Sequence, residues 1–350
     1  MTENTRPEAS PGGDADAAAD APDVDDGATV VAVITAFRPG PGLLDLVHSL
    51  LPDARVIVVD DSGTAGGGAA AAAVSESVTG SDDTEGDVLA AAERAGALVI
   101  RHDRNRGIAA ALNTGVAAAR AHGDPRYVLT LDQDSTVDDG FVAGLRRTAE
   151  DAAAAGLAVG LVAPAEVEGL PSPATGRERG FLVGGTPIQS GMLIPVAALD
   201  RAGGFAEQLF IDGVDTDFAL RLGRHGLRVL LAPRTRLGHS LGERYRPTLF
   251  GHSLVVGGAP LGLVAGQPFR YYYLLRNRVL LNRLHGRRHR AWSVRETLLD
   301  LRHLAIVLAL VPGRRARARA AWAGLRDGWA GRSGRIPAGL ESRLRRTRSL

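Results

Sequence analysis

Apolar and polar positions divide the chain into two patterns, and the first half is the more regular. Residues 29–35 (Thr-Val-Val-Ala-Val-Ile-Thr) are apolar between their threonines, which predicts a strand covered on both faces, with Pro39 to Gly42 punctuating the turn after it. Leu43, Leu46, Val47 and Leu50 follow at helical spacing. Residues 55–60 repeat the buried-strand pattern and end in Asp60. Residues 63–86 are rich in Gly, Ala and Ser with an acidic end, and predict an expanded surface loop. A helix over 88–95, a strand over 97–101, an Ala-rich helix over 108–121 and a strand ending at Asp132 complete this half. In the second half, residues 157–163 and 228–232 read as strands, and Gln189-Ser-Gly-Met-Leu-Ile lies within the segment 187–195. A helix is expected from Asp215, because acids in its first turn complement the helix dipole and Phe218 and Leu222 share a face. Gly226 ends it.

Strands that alternate with helices and run continuously apolar specify an α/β fold with a mostly parallel sheet covered on both faces. Ligands in such sheets gather at the carboxyl ends of the strands. Thr35, Asp60, Asp61, Asp132 and Asp134 all stand at such ends. Side chains two apart in an extended segment share a side, so Asp132 and Asp134 can reach one cation. Mg²⁺ or Mn²⁺ takes oxygen ligands and keeps positions open for substrate phosphates. A solvated turn is the plain alternative for this pair alone; polar residues converging on one rim from several strands favour a nucleotide site.

Composition narrows the chemistry. The 350 residues suffice for one large domain or two small ones. Cysteine is absent, which removes disulfides, thiolate metal sites and cysteine nucleophiles. Lysine is absent as well, excluding Schiff-base chemistry and a P-loop lysine and disfavouring a sugar nucleotidylyltransferase. An EF-hand is excluded because neither acidic segment has the glycine required at its sixth position.

The net charge of +2 conceals strong polarity along the chain. Residues 1–28 hold eight acids against one Arg and predict a disordered acidic tail without signal-peptide features. From Arg270 onward there are 20 Arg against four acids, which implies an anionic partner. Residues 298–311 are apolar but interrupted by Asp300, Arg302 and His303, and too short to span a bilayer. Arg314-Arg-Ala-Arg-Ala-Arg319 follows, then Trp322 and Trp329. That order suits a helix lying in an anionic membrane surface. A core helix with a solvated tail is the alternative, and nucleic acid is not expected, since no recognised module accompanies the charge.

An ordered set of motifs carries a family resemblance. These are Thr35-Ala-Phe-Arg-Pro39, Val58-Val-Asp-Asp-Ser62, Asn105-Arg-Gly-Ile-Ala-Ala-Ala-Leu-Asn113 and Leu131-Asp-Gln-Asp-Ser135, then Gln189-Ser-Gly191, Phe210-Ile-Asp-Gly-Val-Asp-Thr-Asp217, His239-Ser-Leu-Gly242 and Arg270-Tyr-Tyr-Tyr-Leu-Leu-Arg-Asn277. The chain resembles the inverting GT-A glycosyltransferases of family 2, and among them the rhamnosyltransferases that use dTDP-L-rhamnose. The likeness runs from Val30 to Arg283. It departs at Ala36-Phe37-Arg38, where the family usually has Tyr-Asn or Phe-Asn, in the long Gly66 to Gly86 loop, and over the last sixty or so residues.

Together these readings predict an acidic tail over 1–28, a GT-A domain over 29–285, which the resemblance implies, and a basic helical extension over 286–350 that meets the inner face of the cell membrane from the cytoplasm. The resemblance implies a nucleotide-sugar site with Thr35, Asp60 on the pyrimidine N3–H, Arg106, Gly107, Asn113 and Asp132. Asp134 and His239 would hold Mg²⁺ or Mn²⁺. Asp215 holds the position of the family's general base, with Asp212 and Asp217 as competitors. Ser190, Gly191, Asp212, Arg270, Tyr272, Arg276 and Asn277 would face the acceptor, a cell-envelope glycan or polyprenyl-linked sugar; for the tyrosines, packing on the core is equally compatible. Two alternatives stay open: a galactofuranosyl- or glucosyltransferase using a UDP-sugar, and a non-catalytic sugar-nucleotide-binding membrane protein.

Overall fold

The computed structural model describes residues 30–63, 81–239 and 262–346, with short strand pieces between 244 and 260. The expected tail over 1–28, most of the expected loop over 63–86 and residues 240–242 of the His239 motif lie outside the described residues. The first half contains β1 (Val30–Ala36), α1 (Gly42–Leu50), β2 (Arg55–Asp60), α2 (Ser81–Arg94), β3 (Leu98–Arg101), α3 (Ile108–Ala121) and β4 (Tyr127–Asp132). Next come β5 (Ser135–Val137), α4 (Phe141–Ala154), β6 (Val159–Val167), β7 (Leu170–Pro171), β8 (Ala174–Glu178) and β9 (Phe181–Gly184). After them run β10 (Met192–Pro195), α5 (Val196–Ala202), α6 (Val214–Arg224) and β11 (Arg228–His239). Four helices close the described chain: α7 (Pro268–His285), α8 (Arg290–Leu310), α9 (Arg314–Trp329) and α10 (Ala338–Arg346).

The main sheet has the order β3-β2-β1-β4-β10-β6-β11-β9-β8. β1 to β4 pair in parallel, as do β6 and β11, while β10 runs antiparallel to both its neighbours. The expected α/β architecture, with flanking helices and a helical C-terminal region, is thus present. Strand alternation divides the core. Val30, Ala32 and Ile34 of β1 pack toward α1, α2 and α4, whereas Val31 and Val33 pack toward α3, α5 and α6.

Two register features position the rim. Thr35 lies opposite Asp132 and Ala36 opposite Asp60, so the polar strand ends are level. Because β10 runs backwards, its amino end lies beside the carboxyl end of β4, with Met192 opposite Thr130. Residues 189–191, just before β10, are thereby delivered to the same rim.

Several elements differ from expectation. α2 begins at Ser81, inside the stretch read as loop. β11 continues to His239 past Pro233, which reads as a strand end; a register shift between Ala232 and Arg236, with Arg234 at φ 61°, lets pairing resume. β8, which pairs with β9, has no apolar signature because it is mostly exposed.

The extension is bound to the rest of the chain by a third core. Phe210, Tyr271, Tyr272, Tyr273 and Leu275 are buried together with Ala316, Ala320 and Ile336. α9 approaches α7 closely because Gly324 and Gly328 face it; a Cβ on Gly324 would lie 2.1 Å from the Tyr272 carbonyl oxygen. The clash is with backbone, so a rotamer change cannot relieve it. Gly324→Ala is therefore expected to destabilise the protein by about 1–3 kcal/mol. Urea unfolding of the variant measures this, and an unchanged midpoint would contradict the close seating of α9.

Candidate functional site

A cavity of about 500 Å³ opens where β1, β2 and β4 end. Thr35, Asp132 and Asp134 form one side, and Thr35 Oγ1 donates to Asp132 Oδ1 at 3.1 Å. Gln133 lies in the same wall with both amide atoms engaged: Oε1 accepts from Phe37 N at 2.7 Å and Nε2 donates to Phe37 O at 3.1 Å. The turn after β1 is thereby fastened to the Asp132–Asp134 segment.

Asp61 and Gly107 join this wall. Asp61 accepts from the backbone N–H of Arg106 at 2.8 Å and of Gly107 at 2.7 Å, and meets His102 Nδ1 at 2.7 Å. Gly107 has φ 92°, and a Cβ there would lie 2.6 Å from Phe210 O, so both its conformation and its contact require glycine. Asp60 is fully buried behind the wall. Its Oδ1 accepts from Ser62 N at 3.0 Å, and its Oδ2 has no hydrogen-bond partner among the described residues.

The opposite wall is the segment 210–215. Phe210 and Asp212 have φ of 64° and 62°, a left-handed conformation unfavourable for side chains other than glycine. Asn277 Nδ2 holds it, donating to the carbonyls of Leu209 (3.0 Å), Ile211 (2.6 Å) and Asp212 (2.7 Å). Arg276 Nη2 also donates to Leu209 O at 2.7 Å. Asp212 forms an ion pair with Arg270, and both line the cavity.

Asp215 stands in the first turn of α6, half-buried and open to the cavity, with Oδ1 accepting from Thr216 N at 2.6 Å. Burial raises its pKa to about 6, helped by repulsion from Asp212 and Asp132 and opposed by the Thr216 N–H. Asp217 behaves differently. Burial would raise it, but His285 Nε2 and Arg221 Nε, each 2.8 Å away, outweigh burial and hold it below the ordinary carboxylate value. Of the three acids on this segment, Asp215 is the one in the cavity wall with a raised carboxyl and no cationic partner among the described residues.

Several residues expected to touch ligand fasten the protein instead. Asn113 donates to Phe205 O at 2.9 Å and accepts from Phe205 N at 2.8 Å, pinning α3 to the loop after α5. The Arg106 side chain is exposed outside the cavity wall, 3.8 Å from Glu207. Ser190 is buried, accepting from Asp132 N at 3.1 Å, and Gly191 N donates to Thr130 O at 2.7 Å. Arg276 and Asn277 are spent on the 209–212 carbonyls, and Tyr272 donates to Asp327 Oδ2 at 3.0 Å in the α7–α9 interface. Asn113, Ser190, Gly191, Tyr272, Arg276 and Asn277 are thus engaged with the protein itself, whereas the Arg106 side chain reaches solvent.

The extension supplies residues that the sequence reading missed. Arg335, Ile336 and Glu341 line the cavity, and Arg335 Nη2 lies 3.3 Å from Glu341 Oε2. Ile336 N donates to the Tyr273 hydroxyl at 2.8 Å, and Gly334 N to Gln208 O at 2.9 Å. No periodicity or motif in residues 330–341 announces this return.

For a cation, the fit is partial. No group of three or more metal-ligating side chains is assembled among the described residues, and the His239 side chain lies outside them. The backbone of His239 is nevertheless paired opposite Ser135, next to Asp134. Asp132, Asp134, Asp212, Asp215 and Glu341 together outweigh Arg270 and Arg335, so the cavity carries excess negative charge.

Residues 31–186 match the model of a family described as Glycosyl transferase family 2. A dTDP-rhamnosyl transferase, RfbF of Shigella flexneri, is 28% identical over 226 residues, covering 59% of this chain and 69% of that protein. Residues 31–186 are therefore similar to family 2 glycosyltransferase domains, and the chain resembles a rhamnosyl transferase over part of its length. Among solved structures, S. aureus TarS is 13% identical with a TM-score of 0.49, covering 91% of this chain and 52% of its own. GalNAc-T7 with UDP, GalNAc and Mn²⁺ is 16% identical with a TM-score of 0.45, covering 66% and 45%. The chain thus spans about half the length of these two proteins, and likeness this remote carries no information on donor or acceptor.

The raised Asp215 makes a signed prediction. Between about pH 4 and 6 the folded protein keeps a proton that the unfolded chain has lost, so this group's contribution to stability falls as pH rises through that window. Asp215→Asn is expected to be more stable than the wild type above about pH 6, with the gap closing toward pH 4. Thermal unfolding of both proteins across this range measures it; a gap that widened on acidification would contradict the raised carboxyl.

Proposed function

We propose that the protein is a metal-dependent, inverting glycosyltransferase that moves L-rhamnose from dTDP-L-rhamnose to a cell-envelope glycan or polyprenyl-linked acceptor. The observation that carries this reading is the shared cavity, in which a raised, half-buried Asp215 shares the wall with Asp132 and Asp134. An acceptor hydroxyl attacks the anomeric carbon and the bond to the diphosphate oxygen breaks with its electron pair. Asp215 takes the hydroxyl proton, and a pKa near 6 leaves it ionised yet basic at neutral pH. The sugar inverts because attack and departure occur on opposite faces.

The acidic wall would repel a diphosphate, which supports entry of the donor with a divalent cation. Asp134 would hold Mg²⁺ or Mn²⁺ with Asp132 and His239. Bound there, the ion would supply positive charge against the diphosphate. α3 starts at the wall without a side-chain cap, and its N-terminal dipole favours the same anion. The buried, unpartnered Asp60 Oδ2 suits the pyrimidine N3–H, and the rhamnose assignment draws on the RfbF match. Arg270, Asp212, Arg335 and Glu341 line the cavity and would face the acceptor.

Donor hydrolysis tests the reading. Purified protein with Mn²⁺ and a panel of nucleotide sugars is expected to release dTDP from dTDP-L-rhamnose, and Asp215→Asn to lower transfer at least about a hundredfold. Release of UDP alone would move the assignment to another donor, and full activity in Asp215→Asn would remove the base.

The site is proposed to work at the cytoplasmic face of a membrane. No helix among the described residues is long and apolar enough to cross one. α8 exposes Val294, Leu298 and Leu301 on one face, while α9 exposes Trp322 and Trp329 with Arg315, Arg319 and Arg326 beside them. Tryptophan with arginine at a helix surface suits the interface of an anionic bilayer. Vesicles containing phosphatidylglycerol should sediment the protein and neutral phosphatidylcholine vesicles should not, and joint Trp322→Ala and Trp329→Ala replacement should weaken sedimentation severalfold. Equal binding to both lipids, or none to either, would end this part of the proposal.

A further inference from the structure

Gln189 is one of a small number of side chains with buried, unpartnered polar atoms among the described residues, and within that group it alone lines the cavity. It is 7% exposed, and neither Oε1 nor Nε2 finds a partner among the described residues. Gln133 in the same wall shows the ordinary outcome for this residue type, with both amide atoms bonded to Phe37. An unmade buried hydrogen bond costs about 1–3 kcal/mol per group. The main chain around Gln189 gives the amide little room to escape. Its carbonyl accepts from Thr130 Oγ1 at 2.6 Å, and the next residue, Ser190, accepts from Asp132 N.

We infer that Gln189 reads hydroxyl groups of the transferred sugar and is a specificity-determining residue; this rests on the donor site proposed above. An amide offers one acceptor and one donor side by side. A phosphate or carboxylate would satisfy only Nε2 and leave Oε1 buried and unpaired. Sugar hydroxyls both donate and accept, so one hydroxyl or a vicinal pair satisfies both atoms. Position favours the sugar over the nucleobase. Gln189 is tied through Ser190 to Asp132, and Asp132 lies close enough to Asp215 for its charge to help raise that carboxyl. The transferred sugar must occupy the space between the leaving diphosphate and the base. A donor lacking the matching hydroxyl would leave the amide desolvated and unpaired, which is how a polar pocket rejects analogues.

The test compares wild type with Gln189→Leu by calorimetric titration of the full chain with dTDP and with dTDP-L-rhamnose, alongside thermal unfolding without ligand. Leu removes the orphaned polar atoms at similar volume, so the unliganded variant is expected to unfold at the same or a higher temperature. Its affinity for dTDP should change less than about twofold, while affinity for dTDP-L-rhamnose falls about tenfold or more. An unchanged affinity for dTDP-L-rhamnose, a parallel loss of dTDP binding, or a marked loss of thermal stability would each overturn the role of Gln189. If the wild type instead binds a UDP-sugar, the rhamnose assignment fails, and the same comparison with UDP and that sugar decides Gln189. Wild-type protein that binds no nucleotide sugar would overturn both.

Discussion

The arrangement depends most on one buried amide and one buried guanidinium. Asn277 and Arg276, adjacent on α7, hold the carbonyls of residues 209–212 in a path that places two non-glycine residues in left-handed conformation. That path brings Asp212 to the cavity and starts α6 so that Asp215 follows in its first turn. Neither side chain is exposed. They convert the position of α7 into the position of the proposed base. α9 in turn fixes α7 through Gly324 and Gly328, so the geometry of Asp215 is set by helices remote from it in sequence.

Charge on this rim acts on the proposed base. The cavity gathers more carboxylates than arginines, and their mutual repulsion adds to burial in raising Asp215. Asp217, two residues on, faces His285 and Arg221 and is held down. The same short helix start therefore carries two carboxyls of opposite tendency, separated only by the direction in which each points.

Much of the architecture was legible. Continuous apolar runs marked β1, β2 and β4 because both faces of those strands are buried, and acids at their ends marked the rim. Thr35, Asp132, Asp134, Asp212, Asp215 and Arg270 do meet in one cavity. Asn113, Ser190, Tyr272, Arg276 and Asn277 were polar residues in the right motifs, but a motif does not reveal burial. Their hydrogen bonds go to the protein's own main chain and side chains. Gln189 stood beside them in its motif without a role, since an unpaired amide is visible only in three dimensions. Arg335 stands on aperiodic chain and Glu341 in the first turn of α10, and neither position carries a motif that marks a site.

The return of the C-terminal segment has a consequence for biosynthesis. The cavity draws on Thr35 of β1 and on Glu341 of α10, some three hundred residues later. A nascent chain still held at α9 on the ribosome would possess the sheet, the rim carboxylates and Asp215, yet lack the wall made by residues 335–341. Completion of the pocket thus waits on a segment made long after the strands that form its floor.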